Sequence, residues 1–143
     1  MCFIIDDDCS NAIVAIRNIR VYKRLKNLKI TKRGNLIGRS PYLEYIWYKG
    51  KVISFKKKLK IVYRKVEGAC LYTIDEGFHA YTNIDAAISH RGYCNEDICE
   101  FFIPKGSTYY INCEKIVSNS MIWSGRIWSF TSKRWRKVSK TNK

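Results

Sequence analysis

The sequence predicts an α+β domain: a curved antiparallel sheet or small barrel with one packed helix over about residues 82–92. Three observations lead there. Short runs rich in β-branched and aromatic residues recur between turn formers, the pattern of successive antiparallel strands. Only one stretch, Thr82 to Arg91, carries apolar residues at helical spacing. The composition, 46% apolar with 20 Phe, Trp and Tyr in 143 residues, supplies the core of one domain and excludes a disordered basic tail protein.

Ile19 to Leu25 alternates, with Ile19 and Val21 on one side and Arg20, Tyr22 and Arg24 on the other, as a half-buried strand does. Thr31 to Pro41 reads as a loop, since Gly34, Asn35, Gly38, Ser40 and Pro41 form turns and Lys32, Arg33 and Arg39 suit solvent. Tyr42 to Tyr48 and Lys51 to Phe55 read as one hairpin turned at Lys49-Gly50. Ile61 to Tyr63 is a strand, and Ala69 to Ile74 continues the sheet after a turn at Glu67-Gly68.

The helix has its start signal in Thr82-Asn83-Ile84-Asp85, where a threonine cap and an aspartate three residues later satisfy free N-terminal amides. Ile84, Ala87, Ile88 and Arg91 share a face and Gly92 is the stop. Ile98 to Ile103 is a strand ended by Pro104, and Lys105-Gly106 turns the chain into Thr108 to Ile111. A last pair of strands, Lys115 to Val117 and Met121 to Trp123, completes a single domain over residues 1–123. Residues 124–143 are then a basic Trp/Arg/Lys extension.

Several blocks resemble those of a family of short proteins in Bacteroidales phages and their hosts. They are Ile19-Arg-Val-Tyr-Lys-Arg-Leu25, Ser40-Pro41-Tyr42, Glu76-Gly-Phe-His-Ala-Tyr81, Phe102-Ile-Pro-Lys-Gly-Ser-Thr-Tyr-Tyr110 and Ile116-Val-Ser-Asn-Ser120. They span roughly residues 12 to 122 in matching order and spacing. The family comes without an established activity, so the resemblance implies a setting, the cytoplasm of an infected bacterial host, and no mechanism. The chain departs from the family in its basic 49–65 segment and in the tail after Met121.

Charge is segregated along the chain. Arg17 to Lys65 holds 17 Lys and Arg against one acid, Glu44, whereas Val66 to Glu114 holds eight acids against Arg91 and Lys105. No acid follows Glu114, and the net charge is +15. Such a surface repels itself and concentrates polyanions, which points to a phosphate-bearing partner. The acidic middle disfavours a long polyanion lying across the fold and favours a compact one.

In the tail, Trp123, Trp128, Phe130 and Trp135 alternate with Arg126, Lys133, Arg134, Arg136 and Lys137, a mixture in which rings stack on bases and guanidiniums grip phosphates. An anionic membrane surface would accept the same mixture, as would core tryptophans followed by a frayed end. Pro104-Lys-Gly-Ser-Thr108 has the ingredients of a phosphate loop without its spacing or its helix, so it reads first as a turn, with Lys105 and Ser107 available to one phosphate. His79 lies beside Glu76 and Tyr81, but no nucleophile accompanies it.

The expected ligand set is therefore Arg17, Arg20, Tyr22, Lys23, Arg39, Tyr42, His79, Lys105, Ser107, Arg126, Arg134, Trp135 and Arg136. No catalytic residue, metal ligand or cofactor is assigned. The six cysteines, with no C-x-x-C pair, read as reduced thiols, and no run is long enough to span a membrane. The expectation is a non-enzymatic phage accessory protein that binds an anionic nucleotide, for instance withdrawing a cyclic nucleotide defence signal of the host. DNA or RNA binding is the alternative, a small enzyme on nucleotides or proteins a third, and homo-oligomerisation is left open.

Overall fold

The computed structural model describes residues 3–5, 11–39, 44–55, 58–89, 96–129 and 132–138. In chain order they form β1 (Phe3–Ile5), β2 (Ile13–Val14), β3 (Ile19–Ile30), β4 (Leu36–Arg39), β5 (Glu44–Trp47), β6 (Val52–Ser54), β7 (Val62–Val66), β8 (Ala69–Ile74), β9 (Phe78–Tyr81), α1 (Ile84–Ser89), β10 (Glu96–Ile103), β11 (Thr108–Asn112), β12 (Lys115–Ser118), β13 (Ser120–Ser129) and β14 (Arg134–Lys137).

The larger sheet runs β14-β13-β10-β3-β9-β12-β11-β2, with β4 and β5 attached beside β3 and β6 beside β13. A smaller sheet runs β1-β8-β7. The antiparallel sheet is as expected. The one helix is also present but short: α1 has six residues, so the fold is β-rich, and the sheet does not close into a barrel.

Two irregularities in the sheet decide where functional side chains point. Along β3, Lys26 faces Arg39 but Lys29 faces Ile37, so β3 carries one more residue than β4 over that stretch. Inward residues change from Val21, Lys23 and Leu25 to Leu28 and Ile30 at this bulge. A strict period of two therefore ends at Leu25, five residues before the strand does. Of the expected loop Thr31 to Pro41, residues 31–39 are instead a tight turn followed by β4, with Leu36 fully buried, while Ser40 and Pro41 lie outside the described residues.

Between β10 and β13, Cys99 faces Ile127 while Phe101 faces Trp123, so β13 carries two extra residues opposite Glu100. Gly125 makes that excursion with φ of 92°. A Cβ on Gly125 would also stand 2.6 Å from Cε of Lys49, whose stem fills the space. Gly125→Ala is expected to cost about 2 kcal/mol, from the left-handed backbone and the displaced Lys49, as read by urea denaturation.

The core lies between the inward faces of the larger sheet. Trp47 sits at its centre, with ring centroids 5.5 Å from Phe78 and 4.6 Å from Phe101, both edge-on. Trp123, Met121, Val21 and Ile103 are buried around it, at about 1.5–3 kcal/mol for each large apolar side chain. On the outer face, α1 lays Ala86 and Ala87 over Tyr81 and Ile98.

Further expectations are corrected. β5 and β6 are joined by the expected turn, with the Lys51 amide donating to the Tyr48 carbonyl at 3.0 Å, but they do not pair. β5 joins β4 and β6 joins β13, with Trp47 buried in the core and Ile53 packed against it. Likewise Lys115 to Val117 and Met121 to Trp123 pair with other strands, not with one another.

The helix cap is Asn83, whose Oδ1 accepts the Ala86 amide at 2.7 Å, while Thr82 is tied to the Glu114 carbonyl. The helix buries Ala86 and Ala87 and leaves Ile88 exposed; Arg91 and Gly92 lie outside the described residues. The expected boundary at 123/124 falls inside β13. Within 124–129 and 132–138, β13 pairs antiparallel with β14 in the main sheet and Val138 lies in the core, so the described part of the expected extension is integral.

Candidate functional site

β3 leaves the core with Arg20, Tyr22 and Arg24 on its outer face. Across the sheet Tyr22 faces Glu100 and Arg20 faces Phe102, and the β13 excursion places Arg126 beside the same carboxylate. Arg20 Nε and Arg126 Nη1 both reach Glu100 Oε2, at 3.6 and 3.3 Å. The Glu100 side chain is only 3% exposed and that of Arg20 is 56% exposed. Glu100 thus anchors two guanidiniums while the pair keeps a net positive charge. Each guanidinium has five N–H donors and gives one nitrogen to Glu100, so donors remain for a ligand.

Aromatic rings flank this triad. Tyr22 stacks on Trp135 at 5.8 Å, and Trp135 meets Trp128 edge-on at 5.4 Å. The guanidinium of Arg126 lies 5.0 Å over Trp135, that of Arg20 5.8 Å over Phe102 and that of Arg24 5.3 Å over Tyr81. Three arginines are therefore interleaved with rings on one outer face.

A cleft of about 640 Å³ opens beside Arg20. Its floor is apolar, made by Ile19, Ile111 and Ile116, which pack against the core. The rest of its lining, the rim, is the exposed Ile16 together with the polar side chains of Arg17, Asn18, Arg20, Thr82 and Tyr109. The segment before β3 is held in place by the β10–β11 turn. Ala15 and Ser107, Gly106 and Ala15 exchange backbone hydrogen bonds of 2.8 Å, and the Lys105 amide donates to Asn18 Oδ1 at 2.9 Å. Exposed Lys105 is thereby tied to a residue of the rim.

The expected ligand set divides. Arg17 and Arg20 reach the cleft, with Lys105 beside it, and Arg20, Tyr22, Arg126 and Trp135 form the outer face. Arg134 and Arg136 are exposed on β14, and strand alternation sets them on the side away from Trp135. Ser107 is buried at its turn. Arg39 lies in β4 with its side chain outside the described residues, as is Tyr42 altogether.

Lys23 is corrected as a surface ligand, and His79 lies apart from the cleft. Lys23 is 6% exposed on the core side of β3, facing Cys99, and its Nζ donates to the His79 carbonyl at 2.6 Å. Burial lowers its pKa to about 8, against a small opposing effect of Cys99, and burial pushes the Cys99 thiol up.

His79 is half-buried in β9 and is not part of the cleft lining. Its Nε2 is 3.0 Å from the Asp75 carbonyl, which can only accept, so the proton sits on Nε2. Burial, and then the charge of Lys23, lower its pKa to about 4. The unfolded chain binds this proton from about pH 6.5 downward and the folded chain only near 4, so stability is lost as pH falls through that window. Discounted for partial exposure, the loss is expected to be about 2 kcal/mol. In His79→Gln, which keeps a neutral donor, this part of the acid slope should disappear from pH-dependent urea melts.

Sequence reasoning missed Glu100, Thr82, Asn18 and Tyr109. Glu100 had a signal: a lone acid inside Ile98-Cys-Glu-Phe-Phe102, a run apolar enough to be buried, demands cationic partners. Among the described residues no helix is long and apolar enough to cross a membrane, and no His, Cys, Asp and Glu cluster could hold a metal ion. Comparison with protein families, with curated proteins and with solved structures gives no match.

Proposed function

We propose that the protein is a non-enzymatic binder of a phosphate-bearing nucleotide, held in the cleft beside Arg20. The observation that carries this reading is the joining of an apolar floor to an arginine rim: Ile19, Ile111 and Ile116 below, Arg17 and Arg20 above. A base lies against the isoleucines and Tyr109, while phosphate oxygens take the guanidiniums and the Lys105 ammonium. Asn18 and Thr82 supply neutral polar partners at the rim. The Glu100 anchor supports the reading because it orders Arg20 before ligand arrives, cutting the entropy lost on binding. The resemblance to Bacteroidales phage proteins supplies the setting, in which such a binder withdraws a host signal such as a cyclic nucleotide from its effector.

A second reading, single-stranded DNA or RNA along the outer face, is favoured by the Tyr22, Trp135 and Trp128 rings interleaved with Arg24 and Arg126. Salt separates the two: affinity for a strand falls with a slope set by the number of phosphates contacted, and affinity for a small nucleotide falls little. Native mass spectrometry of protein purified from phage-infected cells is expected to show a co-purifying nucleotide. Protein that emerges without ligand and binds only oligonucleotides would favour the second reading.

A further inference from the structure

A second cleft, of about 420 Å³, lies between the β3–β4 turn and the β5–β6 turn and shares no residue with the first. Arg33, Lys49 and Lys51 line it, together with Tyr48. We infer that it binds the phosphate group of a soluble phosphorylated small molecule.

Both turns are rigidly built. In the first, the Gly34 amide donates to the Thr31 carbonyl and the Thr31 amide to the Asn35 carbonyl, each at 2.9 Å, and the Asn35 amide donates to Thr31 Oγ1 at 3.0 Å. In the second, the Gly50 amide donates to the Trp123 carbonyl at 3.1 Å, which fastens the turn to β13. Lys49 is positioned in turn: its stem occupies the space left by Gly125, and its Nζ donates to the Val138 carbonyl at 3.3 Å. The Lys51 ammonium lies 5.5 Å over the Tyr48 ring.

Among the described residues none of the three cations pairs with a carboxylate, in contrast to Arg20 and Arg126. Three like charges brought to one cleft by ordered turns repel one another, and a multiply charged anion relieves that repulsion. The ammonium held by a carbonyl and the ammonium held by a ring keep spare donors, which suits the several oxygens of a phosphate. Because the two clefts have no residue in common, this site stands whether or not the first binds a nucleotide.

The test is a titration of the 15N-labelled chain with inorganic pyrophosphate, followed by amide shifts. The expected result is a saturable response at Gly34, Asn35, Lys49 and Lys51. In Arg33→Gln/Lys51→Gln, two exposed positions, Kd should rise at least about ten-fold with the rest of the spectrum unchanged. Lys49→Met, which keeps the stem against Gly125, should weaken binding as well. Absence of saturable shifts at those amides, or a variant titrating like the wild type, would overturn the proposal. So would co-sedimentation with phosphatidylglycerol vesicles in the absence of any response to pyrophosphate.

Discussion

Replacing Arg20 and Arg126 together by glutamine is expected to lower the unfolding free energy by about 3–5 kcal/mol, because it strands a buried carboxylate. Glu100 is anchored by these two guanidiniums and by no other ion pair among the described residues. The Arg20 contact alone, made by a largely exposed side chain, contributes at most about 1 kcal/mol, so Arg20→Gln should be mild while Arg126 remains. Adding Glu100→Gln to the double variant removes the stranded charge and should restore most of the stability. Nucleotide affinity should stay lost in that triple variant, since the rim has lost Arg20. Thermal and urea melts of the four proteins, set beside their binding curves, separate structural pairing from ligand binding. A triple variant as unstable as the double would mean that the cost lies in lost packing of the arginine stems.

Lys23→Met is expected to raise stability near pH 7 by about 2 kcal/mol, the removal of a burial penalty of about 3 kcal/mol less about 1 kcal/mol for a lost hydrogen bond. The folded pKa of about 8 lies below the ordinary 10.5, so the core penalises the ammonium, chiefly by burial. Below pH 8 the folded chain carries the full penalty. Between pH 8 and 10.5 the unfolded chain binds more protons, so wild-type stability rises with pH and the penalty has gone above 10.5. Methionine fills a similar volume without charge and should show no such rise. The advantage of the variant should therefore shrink by about 3 kcal/mol across that window. The lost hydrogen bond to the His79 carbonyl, about 1 kcal/mol, trims the gain at every pH. Parallel denaturation curves at neutral and alkaline pH check both the sign and the window.

Lys23 also shows how the fold could be read and where the reading stopped. Alternation along Ile19 to Leu25 already set it on the apolar side with Val21, whereas its charge argued for the surface; in the structure the alternation prevails. The strands over Ala69 to Ile74 and Ile98 to Ile103 are legible as β-branched and aromatic runs bounded by turn formers, although Ala69 to Ile74 belongs to the smaller sheet and does not continue the larger one as expected. The 27–28 bulge is not legible, since one inserted residue inverts the pattern with no local mark. Nor are the partners of β5 and β6, which depend on contacts distant in sequence.

In the candidate site, charge clustering pointed to Arg17, Arg20 and Arg126, and the ring content of the tail pointed to Trp135. Their meeting around Glu100 was hidden for a different reason. It needs β3, β10 and β13 side by side and the Gly125 excursion in the right register, and pairing of that kind is written across the whole chain. Thr82 and Tyr109 join the rim only because β9 and β11 flank the same strand, β12.

The nucleotide cleft is tested most directly by calorimetric titration of the chain with a panel of nucleoside phosphates and cyclic nucleotides, wild type beside Arg17→Gln/Arg20→Gln. The predicted result is saturable binding of at least one member with weak salt dependence, and a Kd raised at least about ten-fold in the variant while its melting stays close to that of the wild type. Equal affinity in the two proteins, or no binding by any member of the panel, would contradict the assignment of the cleft.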